Sequence, residues 1–337
     1  MIARALGVIG LCVVLASCQL INRPNAAQGA QGKITWPKDG DLWVYDLASK
    51  QQTKLTDLPN GAAVTGATWS PDGKQVIFAQ FYRRPNERSS GADLMIANAD
   101  GSDAHVFAER DAANTVLETP EWMPSGRVYY TIRRVANGKE TQSIVRQSGE
   151  GVPPETLIDN AYDPAVSPDE TTLLYVRSTR TGQQLMKTTI GGEGDGCELI
   201  SDQVFQYLSL PRVSPDGKRF ALGGSGPPTL GPSGCGGDPR SASPTAASPM
   251  LDLASMLQPD TAYAHGLPAD IYSFSIDGSD MKRIADIKDD DPTVAFAPDG
   301  SKLSIFGVAA LFLVDAQGGP PQKLTDQGGY GGLDWSR

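Results

Sequence analysis

The chain has 337 residues, of which 37 are glycine, 25 are proline and two are histidine. Its formal net charge is −10, which argues against a nucleic-acid partner because phosphate binding needs clustered lysine and arginine. Two histidines offer little for a histidine-based metal site, and we expect neither metal nor cofactor. The glycine and proline content is typical of many short strands joined by turns.

The first residues predict export and lipid attachment. Residues 5–15 form an apolar run that is too short to span a bilayer and suits a signal peptide. The run ends in Leu15-Ala16-Ser17-Cys18, which resembles the bacterial lipobox and implies cleavage before Cys18 and acylation of its sulfur. A plain secretory peptide with an incidental cysteine is the alternative. Residues 1–17 are therefore predicted to be a lipoprotein signal peptide.

The lipobox resemblance also carries an expectation about location. Gln19 follows the cysteine, and by the sorting rule for such lipoproteins this favours the outer membrane, facing the periplasm. The outer face of the plasma membrane is the alternative. Residues 18–32 are mostly small or polar and predict a flexible tether, and residues 33–337 then form one domain.

One turn sequence repeats through that domain, after an extended apolar segment each time. The copies are Trp69-Ser70-Pro71-Asp72-Gly73, Trp122-Met123-Pro124-Ser125-Gly126, Val166-Ser167-Pro168-Asp169-Glu170, Val213-Ser214-Pro215-Asp216-Gly217 and Phe296-Ala297-Pro298-Asp299-Gly300. The prolines are 53, 44, 47 and 83 residues apart, and the longest interval equals one period plus an insertion at residues 225–267. A period in the forties with four strands per repeat is typical of a β-propeller.

Each repeat reads as four strands. In the first full copy these are residues 64–69, 75–80, 93–98 and 104–108. Residues 33–36, 41–47 and 53–56 supply the last three strands of another copy, and Leu333-Asp334-Trp335 supplies its first. The prediction is an all-β fold: a six-bladed β-propeller of four-stranded antiparallel blades, closed by N-terminal strands that pair with the C-terminal strand.

The repeat resembles the TolB-like propeller family, which carries a Ser-Pro-Asp-Gly turn of this kind, over residues 33–337. The chain leaves no room for the α/β domain that precedes the propeller in TolB itself. The resemblance therefore implies a fold and an envelope setting but no particular role.

No catalytic motif stands out in the sequence. Gly223-Gly224-Ser225-Gly226-Pro227 comes nearest to a nucleophile elbow, but it lacks the final glycine. The positions just before the repeated anchor residue are expected to line the central channel, and the charged ones are Glu121, Arg212 and Asp334. A small ligand in the channel would meet these three side chains, although ordinary packing between blades would also explain them.

The connections between second and third strands form the predicted partner-binding face, because irregular loops on a rigid scaffold usually carry binding residues. They hold a set of basic residues: Arg83, Arg84, Arg88, Arg133, Arg134, Arg177 and Arg180. Such a local charge reversal would steer an acidic partner, whereas solvated pairs with neighbouring acids are the plain alternative. The 225–267 insertion lies on the same face, with a short amphipathic helix predicted at residues 250–257.

Two cysteines remain in the mature chain, Cys197 and Cys235, in a compartment that permits a disulfide. The spacing does not decide whether they pair. Taken together, the sequence favours a lipid-anchored envelope propeller that binds a protein partner and is not an enzyme. A small-molecule or glycan sensor that uses the channel is the main alternative, and an unrecognised hydrolase or lyase is the lesser one.

Overall fold

A computed structural model of the protein describes residues 30–225, Pro228, Cys235 and 267–336. The signal peptide, Cys18 and residues 250–257 with their predicted helix lie outside the described residues. Within the described part, no helix is long and apolar enough to cross a membrane.

The described residues form 24 β-strands in six units of four. Unit 1 contains β4 to β7: Ala63–Trp69, Gln75–Tyr82, Gly91–Asn98 and His105–Ala108. Unit 2 contains β8 to β11: Thr115–Trp122, Val128–Ala136, Lys139–Gln147 and Glu155–Asp159. Unit 3 contains β12 to β15: Tyr162–Val166, Thr172–Ser178, Gln183–Thr189 and Cys197–Ile200.

The remaining units follow the same order. Unit 4 contains β16 to β19: Leu208–Val213, Arg219–Ser225, Pro268–Ser275 and Lys282–Asp290. Unit 5 contains β20 to β23: Thr293–Phe296, Lys302–Phe306, Leu311–Asp315 and Gln322–Lys323. Unit 6 contains β24 and β1 to β3: Asp334–Trp335, Lys33–Lys38, Asp41–Asp46 and Gln51–Lys54.

Neighbouring strands within each unit pair antiparallel. Units 3 to 6 are separate four-stranded sheets, while units 1 and 2 join into one eight-stranded sheet through a single parallel contact, Ala92 with Val116. The 225–267 insertion leaves unit 4 between β17 and β18, whose ends pair at Ser225 and Ala269. The insertion therefore starts and ends at the same point of the ladder.

The Ser-Pro-Asp-Gly turns join the first and second strands. In unit 1 the Ser70 hydroxyl accepts the backbone N–H groups of Lys74 and Gln75 at 3.1 and 2.9 Å and donates to Asp72 at 2.8 Å. The bond from Ser70, together with the Lys74 N–H that Asp72 also accepts at 3.1 Å, lowers the pKa of Asp72 to about 2. Gly73 has φ +69°, a conformation that glycine adopts without steric cost. The aspartates of these turns therefore stabilise the turns themselves.

The core lies between facing units. One apolar cluster combines Ile77 and Leu94 of unit 1 with Leu117 and Tyr130 of unit 2, all at most 3% exposed. Further clusters of this type join the other neighbouring units. Because each sheet buries both faces, its central strands read as continuous apolar runs, for example Val76 to Ala79.

The first and last described segments meet in unit 6. β1 pairs antiparallel with β24, with Ile34 opposite Trp335. The Lys33 N–H donates to the Ser336 hydroxyl at 3.1 Å, and the Ser336 N–H donates to the Lys33 carbonyl at 2.8 Å. The Trp335 indole N–H also donates to the Gln31 carbonyl at 2.8 Å. Contacts with the sheet therefore begin before Lys33, inside the segment predicted to be tether.

Candidate functional site

Most of the predicted partner-binding arginines are held by acids. Arg84 donates to the fully buried carboxylate of Asp93 at 2.9 Å. Arg133 pairs with Glu118 at 3.0 Å. The other two pairs are Arg134 with Asp111 at 2.8 Å and Arg177 with Asp195 at 3.0 Å. These four side chains contribute less free positive charge to the loop face than their number suggests.

The other three members of that set behave differently. Arg83, Arg88 and Arg180 are exposed. Since they lie in the connections between second and third strands of units 1 and 3, they are on the face opposite the Ser-Pro-Asp-Gly turns. The structure thus divides the predicted basic patch into paired side chains and three exposed ones.

The predicted channel residues come together at a cavity of about 220 Å³. Glu121, Arg212 and Asp334 all line it, with Thr68 beside them. The first strand of every unit contributes to the lining. The cavity opens on the turn face, where its rim carries the turn prolines Pro71, Pro124, Pro168, Pro215 and Pro298.

Three lining side chains connect neighbouring units by accepting backbone N–H groups. Asp334 in unit 6 accepts the Trp69 N–H of unit 1 at 2.7 Å. Thr68 in unit 1 accepts the Trp122 N–H of unit 2 at 3.2 Å. Glu121 in unit 2 accepts the Val166 N–H of unit 3 at 2.7 Å. The position before the anchor residue therefore has a structural role wherever it holds an acceptor.

The acids at the cavity are hard to ionise. Burial raises the pKa of Glu121 to about 7, although the Arg212 charge and the bond from Val166 oppose the shift. Burial also raises the pKa of Asp334, again against the Arg212 charge. With a pKa of about 7, Glu121 is protonated for part of the time near neutral pH, and perturbed pKa values of this kind are typical of functional sites.

Asp163, two positions before Ala165, was not among the site residues predicted from the sequence. Burial raises its pKa to about 7, the nearby Glu118 charge raises it further, and Arg212 opposes the shift. Asp163 lies at φ +52° in a β-bulge of β12. A signal for it exists in the sequence: a proline precedes the channel position in Pro120-Glu121, Pro164-Ala165 and Pro211-Arg212, and strand prolines often mark bulges.

Arg212 is the cation at the cavity. The residue is 9% exposed, and one terminal nitrogen, Nη1, donates to the Pro211 carbonyl at 3.0 Å. Among the described residues no carboxylate lies within 4.0 Å of its guanidinium. It influences the pKa of Glu121, Asp163 and Asp334 from a longer range.

The remaining candidates lie elsewhere. Cys197 and Cys235 are joined as a disulfide with 5.4 Å between their Cα atoms. His105 lies on β7 and contacts Glu150 at 3.3 Å, which together with the Asp103 carbonyl raises its pKa. In the described part of the chain, no group of three or more histidine, cysteine or acidic residues is arranged to hold a metal ion.

No protein-family model and no curated protein matches the chain. TolB from Acinetobacter baumannii shares the fold with a TM-score of 0.60 and 13% identity over 90% of this chain, which spans 66% of that TolB chain, just under two thirds. A putative TolB from Agrobacterium tumefaciens has a TM-score of 0.56, 15% identity and coverage of 91% and 99% of the two chains.

An enzyme is also among the similar structures. A gluconolactonase from Xanthomonas campestris has a TM-score of 0.52 and 14% identity, with coverage of 85% of this chain and 86% of that one. Because all these identities are low, the likeness is one of fold and leaves the question of enzymatic activity open. The chain has an all-β fold of multiple four-stranded antiparallel sheets, like that of the TolB-like propellers.

Proposed function

We propose that the protein is an exported, lipid-anchored propeller of the cell envelope that binds a protein partner at the turn-face cavity. The six units are its blades, and the pairing of β1 with β24 closes the ring. The observation that carries the proposal is the cavity itself, which the first strands of all six units line. The fold likeness to TolB supports an envelope setting.

The cavity is better suited to a short segment of a protein partner than to a complete cofactor. Its volume of about 220 Å³ is below the ~300–1,000 Å³ of pockets that enclose drug-sized ligands. The rim is built from proline-containing turns whose conformation is fixed by local hydrogen bonds, for example at Ser70 and Ser214. A preformed rim loses little conformational entropy when a partner binds.

A pull-down from detergent-solubilised envelopes tests the proposal. The variant Pro71→Arg/Pro215→Arg alters two exposed rim positions, and Arg83→Glu/Arg180→Glu is the matched double substitution on the opposite face. We expect a stoichiometric protein partner that the rim variant loses and the loop variant keeps. Loss with the loop variant alone would assign binding to the basic loops instead.

Two further outcomes would replace the proposal. Absence of any protein partner, together with thermal stabilisation by a sugar or metabolite, would favour a small-molecule sensor. Turnover of a lactone or glycan that Glu121→Gln abolishes would make the protein an enzyme. The fold likeness to a gluconolactonase and the raised pKa values of Glu121 and Asp163 make this assay worthwhile.

The lipid anchor has its own test. Cys18→Ala should abolish labelling by a fatty-acid analogue and move the protein from the membrane fraction to the soluble fraction, because Cys18 is the proposed acylation site. Ser17→Thr is a control that keeps the sulfur. Continued labelling of the Cys18→Ala protein would contradict the anchor.

The pairing of Cys197 with Cys235 is also a proposal for the exported protein. The bond spans 38 residues of sequence, and on the chain-entropy treatment a loop of this length stabilises by about 4 kcal/mol. Denatured protein without reductant should show no reactive thiol from this pair, and Cys235→Ser should lower the unfolding midpoint. Two reactive thiols would rule the bond out.

A further inference from the structure

A ring of backbone N–H groups points into the channel. In each unit the residue after the anchor donates its N–H to the second strand. These bonds are Ser70 to Gln75, Met123 to Arg127, Ser167 to Thr172, Ser214 to Arg219, Ala297 to Lys302 and Ser336 to Lys33. Because successive N–H groups in a strand alternate in direction, the N–H of each anchor points the other way, toward the channel. The six anchors are Trp69, Trp122, Val166, Val213, Phe296 and Trp335.

Four of the six N–H groups have acceptors. The side chains of Asp334, Thr68 and Glu121 accept those of Trp69, Trp122 and Val166 from the neighbouring unit. The Trp335 N–H donates to Asp334 Oδ1 at 2.8 Å.

The N–H groups of Val213 and Phe296 have no acceptor among the described residues. The sequence explains this difference, because the neighbouring unit presents Ala165 to Val213 and Arg212 to Phe296. Neither side chain can accept a hydrogen bond.

Donors without a protein acceptor therefore lie together on units 4 and 5. They are the two N–H groups and the nitrogens of the Arg212 guanidinium other than Nη1, which donates to the Pro211 carbonyl. All three residues line the same cavity. Val213 and Phe296 are partly buried, and an acceptor that enters the cavity in place of water would satisfy donors that the protein leaves without a partner. A planar carboxylate matches a guanidinium in particular, because two parallel hydrogen bonds can form.

The opposite side of the cavity limits the charge that a ligand can carry. Glu121 and Asp334 line the cavity with Arg212 and lie close enough for its charge to lower their pKa values. A free ligand with several negative charges would be repelled by these carboxyl groups, whereas a single carboxylate on a neutral chain adds one charge beside the arginine. A polypeptide can supply such a group at its C-terminus or on an acidic side chain.

We propose that Arg212 and the N–H groups of Val213 and Phe296 form a receptor for one carboxylate group presented by a polypeptide. That the ligand is a polypeptide rests on the proposed function. That its bound group is a carboxylate rests on the hydrogen-bonding pattern. Arg212 contacts the ligand directly, and the two N–H groups complete its binding site. The anchor N–H groups of the other four units already have acceptors, so the ring has one binding segment.

Three peptide probes test the receptor at mildly acidic pH: acetyl-trialanine with a free carboxylate, its C-terminal amide, and acetyl-Ala-Glu-Ala-amide. Calorimetry and the fluorescence of Trp69 and Trp122, which line the cavity, report binding. We expect a carboxylate peptide to bind at least about ten-fold more tightly than the amide, since hydrogen bonds to charged groups contribute that much. The two carboxylate probes then distinguish a chain end from an acidic side chain.

Variants locate the site. Arg212→Gln should remove the preference for carboxylate over amide, while Arg180→Gln on the opposite face should keep it. Equal binding of all three peptides, or none by any, would overturn the proposal. The comparison of the three peptides on the wild-type protein tests the proposal even if Arg212→Gln fails to fold.

The peptide result and the envelope pull-down can fail separately. Carboxylate preference without an envelope partner would leave the receptor in place and contradict the proposed function. If the protein captures an envelope partner but does not distinguish the carboxylate peptide from its amide, the proposed function stands and the carboxylate receptor is contradicted.

Discussion

Arg110 and Arg212 are both buried, at 2% and 9% exposure, but their surroundings differ. Arg110 donates to Glu87 at 2.7 Å and to Asp93 at 3.3 Å, and its guanidinium lies 4.5 Å from the centre of the Tyr82 ring. Arg212 donates to the carbonyl of its neighbour Pro211. The charge of Arg110 is compensated by carboxylates in direct contact, whereas the carboxyl groups nearest to Arg212 act on it only from a distance.

This difference separates scaffold from site. Asp93 accepts bonds from Tyr82, Arg84 and Arg110, which fixes the connection between β5 and β6 to the end of β7. This network compensates the charge of Arg110 with buried carboxylates, and only its Nε lacks an acceptor among the described residues. The donors around Arg212 lack acceptors within the protein, so a ligand can supply them. Burial of an arginine therefore indicates function only when its partners are missing.

Replacing each arginine by methionine gives the largest expected contrast. Arg110→Met leaves Asp93 buried without one of its donors, and breaking a buried pair costs about 3–5 kcal/mol. Arg212→Met should cost less than about 1 kcal/mol at mildly acidic pH, because Glu121 and Asp163, with pKa values of about 7, are then largely protonated. Urea unfolding of both variants measures the difference. Similar losses of stability would show that Arg212 is also scaffold.

The pH dependence of stability sharpens the comparison. Glu121 and Asp163 have folded pKa values of about 7, above their ordinary values of 4.5 and 3.8. The folded state keeps these protons where the unfolded state has lost them, so the free energy of unfolding falls as pH rises from about 4 to 7 and then levels. The raised pKa of His105 acts in the same direction above about 6.5.

Glu121→Gln should flatten part of that slope, and thermal unfolding across the range measures it. Glu155→Gln is the control, since its carboxylate is exposed and pairs with Arg146 at the outer strand of unit 2. A Glu121→Gln protein with the wild-type slope would contradict the raised pKa of Glu121.

The smallest expected effect concerns Thr68. Thr68→Val keeps the shape of the side chain but removes the acceptor for the Trp122 N–H, which should lower stability by about 1 kcal/mol. Thr53→Val on the exposed strand β3 is the matched control. No loss with Thr68→Val would mean that unpaired N–H groups in this ring cost little, and would weaken the argument from Val213 and Phe296.

The strands were predictable because their signals are local. Residues 75–80 and 93–98, expected as strands, lie within β5 and β6, and Ser-Pro-Asp-Gly fixes the preceding turn through hydrogen bonds within a few residues. The lining by Glu121, Arg212 and Asp334 followed from the repeat, since equivalent positions in a repeat take equivalent places.

Contacts between distant side chains were not predictable in the same way. Nothing near Arg84 in the sequence shows that Asp93 and Glu109 will meet it. Asp163 was missed because only the position directly before each anchor residue was expected to line the channel, and the repeat gives no account of the irregular register between Tyr162 and Ala165. The N–H groups of Val213 and Phe296 lack acceptors because the neighbouring units present Ala165 and Arg212 to them. This becomes visible only once the units are placed side by side.

The junction of β1 with β24 has a consequence for the time course of folding. The Lys33 N–H and the Ser336 hydroxyl that it meets are 303 positions apart, so this pairing must wait until the intervening five units are in place. Contacts of such high sequence separation slow folding, and until they form the edge of β1 is open to pairing with other chains. The rate of folding should therefore depend more on this short junction than on any single sheet.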